Sequence, residues 1–218
     1  MGNKQSQTTR GPILSKSQIA NIELEDVFTG DKFLAKSLWE VESEDVLLIY
    51  LIRRPGCQLC REQAELLSDM IEYNPSMKNV KLVGVVHEYK YLEDITTLKE
   101  KYFRGNPVYL DREKNFYNAQ GMRRLGLHAI LWASVMKAIR RASSKGIKGN
   151  TRGDGTLLGG VLVVDVDKVW FEHREDFFGD LVIADELILS ISLAQKSRES
   201  RGSISIPSST DRSSHISV

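Results

Sequence analysis

Cysteine is almost absent from this chain: Cys57 and Cys60 are the only two among 218 residues. Two thiols three residues apart cannot build the disulfide framework of a small secreted domain. With no leading apolar signal, the expected setting is a reducing one, the cytoplasm. Histidine is also scarce, and His87, His128, His173 and His215 supply no second close pair to complete a zinc site. Long apolar runs are missing too. The longest candidate, LGLHAILWASVMKAI at 125–139, contains His128 and Lys137 and falls short of the ~18 residues that suggest a spanning helix. A formal net charge of +1 gives no global attraction to nucleic acid.

What remains is the balance of a soluble globular chain, 41% hydrophobic and 27% charged, which suits one domain with tails. The divisions expected are a flexible polar segment over 1–18, a folded domain over 19–196 and a disordered tail over 197–218. In that tail nine of 22 residues are Ser and apolar periodicity is lost. Charge is uneven along the chain. Residues 122–152 hold eight basic residues and no acid, while 165–186 hold eight acids against Lys168 and Arg174.

The N-terminal MGNKQS matches M-G-x-x-x-[ST], making Gly2 a candidate for N-myristoylation. One acyl chain with Lys4 and Arg10 nearby predicts reversible membrane association. At the other end, Ile216-Ser217-Val218 has the apolar-x-apolar form a PDZ groove accepts by strand addition, so a lipid-anchored scaffold without enzymatic activity is one alternative.

Hydrophobic patterning predicts a strand over DVLLIYLI (45–52), apolar without interruption and so buried on both faces. Further strands are expected over 81–87, 107–111 and 161–166, with 168–173 as hairpin partner to the last. Helices are expected over FLAKSLWEVESE (33–44, with Leu34, Leu38 and Trp39 on one side), 58–73, 91–103, 123–141 and 185–196. In the basic helix Leu127, Ile130, Leu131, Val135, Met136 and Ile139 would make an apolar side. The sum is an α/β chain with a mixed sheet and helices on both faces. The glycine-rich stretch 153–160 lacks the Lys-Ser/Thr of a phosphate loop and reads as turn geometry.

The decisive stretch is IYLIRRPGCQLCREQAE at 49–65. Cys57 and Cys60 there could be a redox pair, a metal clip or two core thiols, and the redox reading explains most of the surrounding residues. A buried strand that turns at Pro55-Gly56 into a helix would put Cys57 at the N-cap and Cys60 one turn on. Unpaired N–H groups at a helix N-terminus favour thiolate. Arg53, Arg54 and Arg61 add positive charge, with Arg54 and Arg61 as the expected supporting pair. Cys57, the outer thiol, would be the nucleophile and Cys60 the resolving thiol.

RRPGCQLCRE, with FRGNPVYLDREKNFY (103–117), GIKGN (146–150), GDGTLLGGVLVV (153–164) and EHREDFFGD (172–180), resembles the peroxiredoxin-like 2 family of the thioredoxin-like fold, from about Phe33 to Gln195. That family has an antioxidant, redox-regulatory branch and a prostamide/prostaglandin F synthase branch, and the EHRE block is more similar to the former. The resemblance implies that Cys57 and Cys60 form the redox dithiol and that peroxides or disulfides are reduced. It also implies an external donor such as thioredoxin or glutathione, drawing ultimately on NADPH. Reduction of a prostaglandin-like endoperoxide is the alternative substrate class. The chain departs from true peroxiredoxins, whose P-x-x-x-[ST]-x-x-C signature would put Pro at 53 and Ser or Thr at 57. Glycine in Leu158-Gly159-Gly160 stands where the arginine before their later core strand is expected, and the cis-proline of thioredoxins is missing.

Overall fold

The computed structural model describes residues 13–40, 46–124 and 132–202. Its centre is the strand β3 (Val46–Ile52), every residue of which is buried. Alternation sorts the run into two sets. Val46, Leu48, Tyr50 and Ile52 join one core, and Leu47, Ile49 and Leu51 join another across the sheet. This is why the sequence shows no polar alternation there.

Seven strands form one sheet in the order β2-β1-β5-β4-β3-β6-β7. Here β1 is Glu23–Asp26, β2 Lys32–Leu34, β4 Val80–Val86, β5 Val108–Leu110, β6 Gly160–Val164 and β7 Val169–Arg174. The middle three strands, β5, β4 and β3, run parallel. The antiparallel hairpin of β6 and β7 pairs with β3, and the hairpin of β1 and β2 pairs with β5. The mixed sheet with helices on both faces is as expected. On one face pack α3 (Gln58–Tyr73), α4 (Leu92–Thr97), α6 (Trp132–Ser144) and α7 (Ala184–Gly202). The other carries α1 (Lys16–Ala20), α2 (Ser37–Glu40) and α5 (Asn115–Ala119).

Several boundaries differ from the sequence reading, each for a local reason. Of the expected helix over 33–44, residues 33–40 are a strand end followed by the short α2, with Leu34 exposed and Leu38 and Trp39 buried, and 41–44 lie outside the described residues. Lys32, Phe33 and Leu34 pair with β1, so sheet hydrogen bonds override a weak helical pattern. The helix expected over 91–103 is α4 continued by one π turn over Leu98–Tyr102. Of the expected basic helix over 123–141, Arg124 instead bridges Leu157 in extended form, and the described part is α6, Trp132–Ser144. Leu127, Ile130 and Leu131 lie outside the described residues. Order begins ahead of residue 19, with Leu14 buried and its N–H donating to the Glu172 carboxylate, and α7 runs six residues past 196. Gly2 and the C-terminal tripeptide also fall outside the described residues.

Candidate active site

The loop after β3 leaves the carboxyl end of the parallel strands, where α/β sheets present their chemistry. Pro55-Gly56 makes the turn, and the Cys57 N–H closes it onto the Arg54 carbonyl at 3.0 Å. Gly56 is required here by proximity: a Cβ would run into Asn150 Oδ1 and lie 2.9 Å from Asp94 Oδ2. Cys57 is then the N-cap of α3, in extended backbone, and Cys60 is the third residue of the first turn, as expected.

Both thiols are free and buried, Cys57 at 5% and Cys60 at 2% exposure. They hydrogen-bond each other, with opposite consequences. The Cys60 thiol holds Cys57 well below the ordinary thiol range, helped by the Arg53 guanidinium and outweighing burial. Cys60 is pushed well up by the same bond and by burial. The pair is thus unequal, with Cys57 the more acidic thiol and Cys60 the less acidic one.

Arg53 is the cation on the sulfur. Its Nη2 donates to Cys57 Sγ at 2.6 Å, its Nη1 to the Gly155 carbonyl at 2.9 Å, and its guanidinium lies 4.0 Å from the centre of the Phe178 ring. Burial would favour loss of its proton, but both cysteines and Glu175 keep it charged. The expected pair, Arg54 and Arg61, is placed differently. Arg54 donates to the Asn150 carbonyl at 3.1 Å and contributes a smaller attraction to the Cys57 thiolate. Arg61 donates to the Pro55 and Lys148 carbonyls at 3.0 and 2.9 Å and pairs with Asp94 at 3.2 Å. It fastens the loop, its bonds going to Pro55, Lys148 and Asp94 instead of to the thiols.

Glu175 is a residue the sequence reading did not single out. Just past β7, it exchanges backbone and side-chain bonds with Gly159: its N–H donates to the Gly159 carbonyl at 3.1 Å and its Oε2 accepts from the Gly159 N–H at 3.0 Å. A Cβ on Gly159 would collide with the Leu51 carbonyl, so only glycine fits between β3 and Glu175. Burial raises the carboxyl to about 7, against the pull of Arg53 and the Gly159 N–H. The β6–β7 register, Gly160 opposite Arg174, carries the signal that could have found it.

The remaining polar groups fix the frame. Tyr50 donates to the Cys60 carbonyl at 3.1 Å, and Tyr117 to the Ile52 and Val85 carbonyls at 2.9 Å each, joining the ends of β3 and β4. His87 Nε2 meets the Arg53 carbonyl at 2.8 Å, and burial lowers the pKa of its ring. Asp111 accepts from the Asn115 and Phe116 N–H groups and starts α5. Glu172, paired with Arg174, holds Leu14. Among the described residues no group of three or more His, Cys, Asp or Glu comes together to hold a metal ion.

A family model described as AhpC/TSA antioxidant enzyme matches residues 66–176, about half the chain, beginning after the two cysteines. Over 178 residues the chain is 39% identical to Peroxiredoxin-like 2A of Homo sapiens, covering 78% of this chain and 74% of that protein. It is 30% identical over 183 residues to Prostamide/prostaglandin F synthase of Aquarana catesbeiana, covering 81% and 88% respectively. Among solved structures, bacterioferritin comigratory protein of Xanthomonas campestris, described for alkyl peroxide reduction activity, aligns with a TM-score of 0.54 at 10% identity. That alignment covers 85% of this chain and 99% of the other. A thioredoxin-like protein of Porphyromonas gingivalis aligns at 0.53 with 14% identity, covering 83% and 93%. These two likenesses are to the fold, which is thioredoxin-like.

Proposed function

From the chain's membership of the peroxiredoxin-like 2 family, we propose that it is a thiol oxidoreductase that reduces peroxides or disulfides through Cys57 and Cys60. The observation that carries this reading is the 2.6 Å bond from Arg53 to Cys57 Sγ, set at a helix N-terminus beside a second thiol whose pKa burial and Cys57 push up. Cys57 thiolate attacks the distal oxygen of a hydroperoxide. The O–O bond breaks, an alcohol leaves after taking up a proton, and Cys57 becomes a sulfenic acid. Cys60 then attacks that sulfur, water leaves and the internal disulfide forms, so the two thiols supply both electrons. A thiol donor, thioredoxin or glutathione fed from NADPH, returns two electrons and two protons. For a disulfide substrate, Cys57 forms the mixed disulfide directly.

Arg53 is the supporting residue in this cycle, with Arg54 assisting and Arg61 holding the turn. Relatives named Prostamide/prostaglandin F synthase favour a second substrate class, a lipid endoperoxide, which the same O–O cleavage would open. Turnover of a prostaglandin endoperoxide in a working thiol-reducing system tests that arm. No helix among the described residues is long and apolar enough to cross a membrane. The MGNKQS terminus supports a cytoplasmic protein reversibly held to membranes by acylation at Gly2, and replacing Gly2 with Ala should release it from the membrane fraction.

The direct test is intact-protein mass spectrometry with thiol trapping, before and after a small excess of hydrogen peroxide and again after a thioredoxin-reducing system. Loss of two hydrogens, reversed by the reductant and abolished by Cys57→Ser, is the expected result. Thiols that stay reduced, or only irreversible oxidation, would remove the assignment.

A further inference from the structure

Arginines around the cysteine turn are met by acids: Arg61 by Asp94, Arg124 by Asp154, Arg141 by Glu62 and Arg152 by Glu93 and Asp94. Arg53 and Arg54, the two that act on the Cys57 thiol, are exceptions. Among the described residues no carboxylate pairs with either. Arg53 is only 3% exposed, and Glu175 attracts it across space without bonding to it. Arg54 is partly buried and gives one hydrogen bond, from Nη2 to the carbonyl of Asn150 in the strap of residues 147–156 that crosses the turn. Glu88, the acid beside its methylene stem, is taken by the Asp154 N–H at 2.9 Å. The Nε of each arginine is buried without an acceptor.

The two guanidinium groups converge at Gly155. A Cβ on this residue would have as nearest neighbours Arg54 Nη1 at 3.0 Å, Arg54 Cζ at 3.4 Å and Arg53 Nη1 at 3.6 Å. Glycine therefore leaves open a space that two cations line. Like charges repel, and a buried cation without a counter-ion is costly. As a thiolate Cys57 answers one of the two charges; in a disulfide with Cys60 it answers neither.

We infer that the space between Arg53 and Arg54 at Gly155 is a subsite for a carboxylate, carried by the small thiol that resets the disulfide. This deepens the dithiol reading above and rests on it. The planar fork of arginine matches a carboxylate. The subsite is one guanidinium away from the reacting sulfur, since Arg53 meets Cys57 Sγ with Nη2 and lines the space with Nη1. A thiol with a carboxylate a few bonds away spans that separation. The charge balance selects the donor over the oxidant, because the oxidised protein is the form with two unanswered cations. The donor thiolate attacks the Cys57 sulfur, the S–S bond breaks, and Cys60 leaves and takes up a proton. A second donor thiolate attacks the mixed disulfide. Its S–S bond breaks, the donor departs as its own disulfide, and Cys57 is left reduced, two donor thiols having supplied two electrons.

The test uses the full chain with its disulfide formed by stoichiometric peroxide and scored by mass. Mercaptopropionate, mercaptoethanol and cysteamine, which carry a negative, no and a positive charge beside the thiol, then reduce it in parallel. Rates are compared per thiolate. The wild type should favour mercaptopropionate over mercaptoethanol by about tenfold, with cysteamine slowest. Arg54→Gln should bring that ratio close to one, whatever it does to the mercaptoethanol rate itself, and Arg54→Lys should keep most of it. Equal rates for the three thiols, or a ratio that Arg54→Gln leaves unchanged, overturns the subsite and leaves the dithiol activity standing. A charge preference found only in the oxidation step, for a carboxylate-bearing hydroperoxide over tert-butyl hydroperoxide, overturns the assignment to the donor. Failure to form the disulfide overturns both readings.

Discussion

Two buried acids flank the cysteine turn, and they are treated in opposite ways. Asp94 receives Arg61 at 3.2 Å, Arg152 at 3.1 Å and the Asn150 amide at 2.9 Å, so its charge is met by fixed donors. Glu175 receives one backbone N–H, shares its neighbourhood with two thiols and is held up to about 7 by burial. The same ingredients, a carboxylate and a buried arginine, make a fastening on one side and a group that titrates near neutrality on the other. What separates them is the number of donors per acid and whether an arginine reaches it. Arg53 is engaged by sulfur.

Removing an acid from the fastened side should cost the most. Asp94→Ala leaves Arg61 buried without its partner and loosens three contacts at once, with an expected loss of about 3–5 kcal/mol, read from chemical denaturation. A loss as small as that of a surface substitution would show that the Asp94 corner does not secure the turn.

On the other side the sign reverses. Folded Glu175 binds its proton more tightly than the unfolded chain, with a pKa of about 7 against 4.5. Stability from this group is therefore full below about pH 4.5, falls as pH rises through 7 and is lowest above it. Glu175→Gln, which still accepts from Gly159, should flatten that slope and stabilise the protein at pH 8 by on the order of 2–3 kcal/mol. An unchanged slope in urea titrations between pH 5 and 8 would make the two acids alike.

The arginines sharpen the contrast next. Arg53→Met should move the midpoint of Cys57 alkylation up toward the ordinary thiol value of about 8.5 and slow the reaction at pH 6 by about tenfold to a hundredfold. Arg61→Met should leave that midpoint near the wild-type value while lowering stability. Equal midpoint shifts in the two variants would abolish the distinction between them. The smallest effect belongs to the strap: Gly149→Ala, pressed against Gln58, should cost about 1–3 kcal/mol, seen as a lowered denaturation midpoint.

The sequence disclosed the parts of this site that depend on order along the chain. An unbroken apolar run, a Pro-Gly turn and helical spacing from Gln58 place Cys57 at an N-cap with no further information. It did not disclose which way Arg53, Arg54 and Arg61 point, since three cations within nine residues look alike until the strand exit and helix start fix their directions. Glu175 was hidden for a different reason: its partner Gly159 is 16 residues away, just ahead of the preceding strand β6, and only antiparallel pairing of β6 with β7 joins them. The hairpin of β1 and β2 was hidden because its polar, short strands at the sheet edge carry little apolar signal, and its pairing with β5 is long-range.

The two-sided burial of β3 sets how this chain tolerates change in length as opposed to change in composition. Exchanging one apolar residue for another of similar size along Val46–Ile52 keeps both cores filled. Adding a single residue would also keep the strand apolar, so hydrophobicity would raise no objection. It would nevertheless turn every side chain beyond the insertion to the opposite face. Tyr50 would leave the Cys60 carbonyl for the side of Phe116 and Tyr117, and Arg53 would arrive on the wrong side of its sulfur. In this strand, parity is the inherited quantity, and a one-residue indel is a more severe lesion than several substitutions.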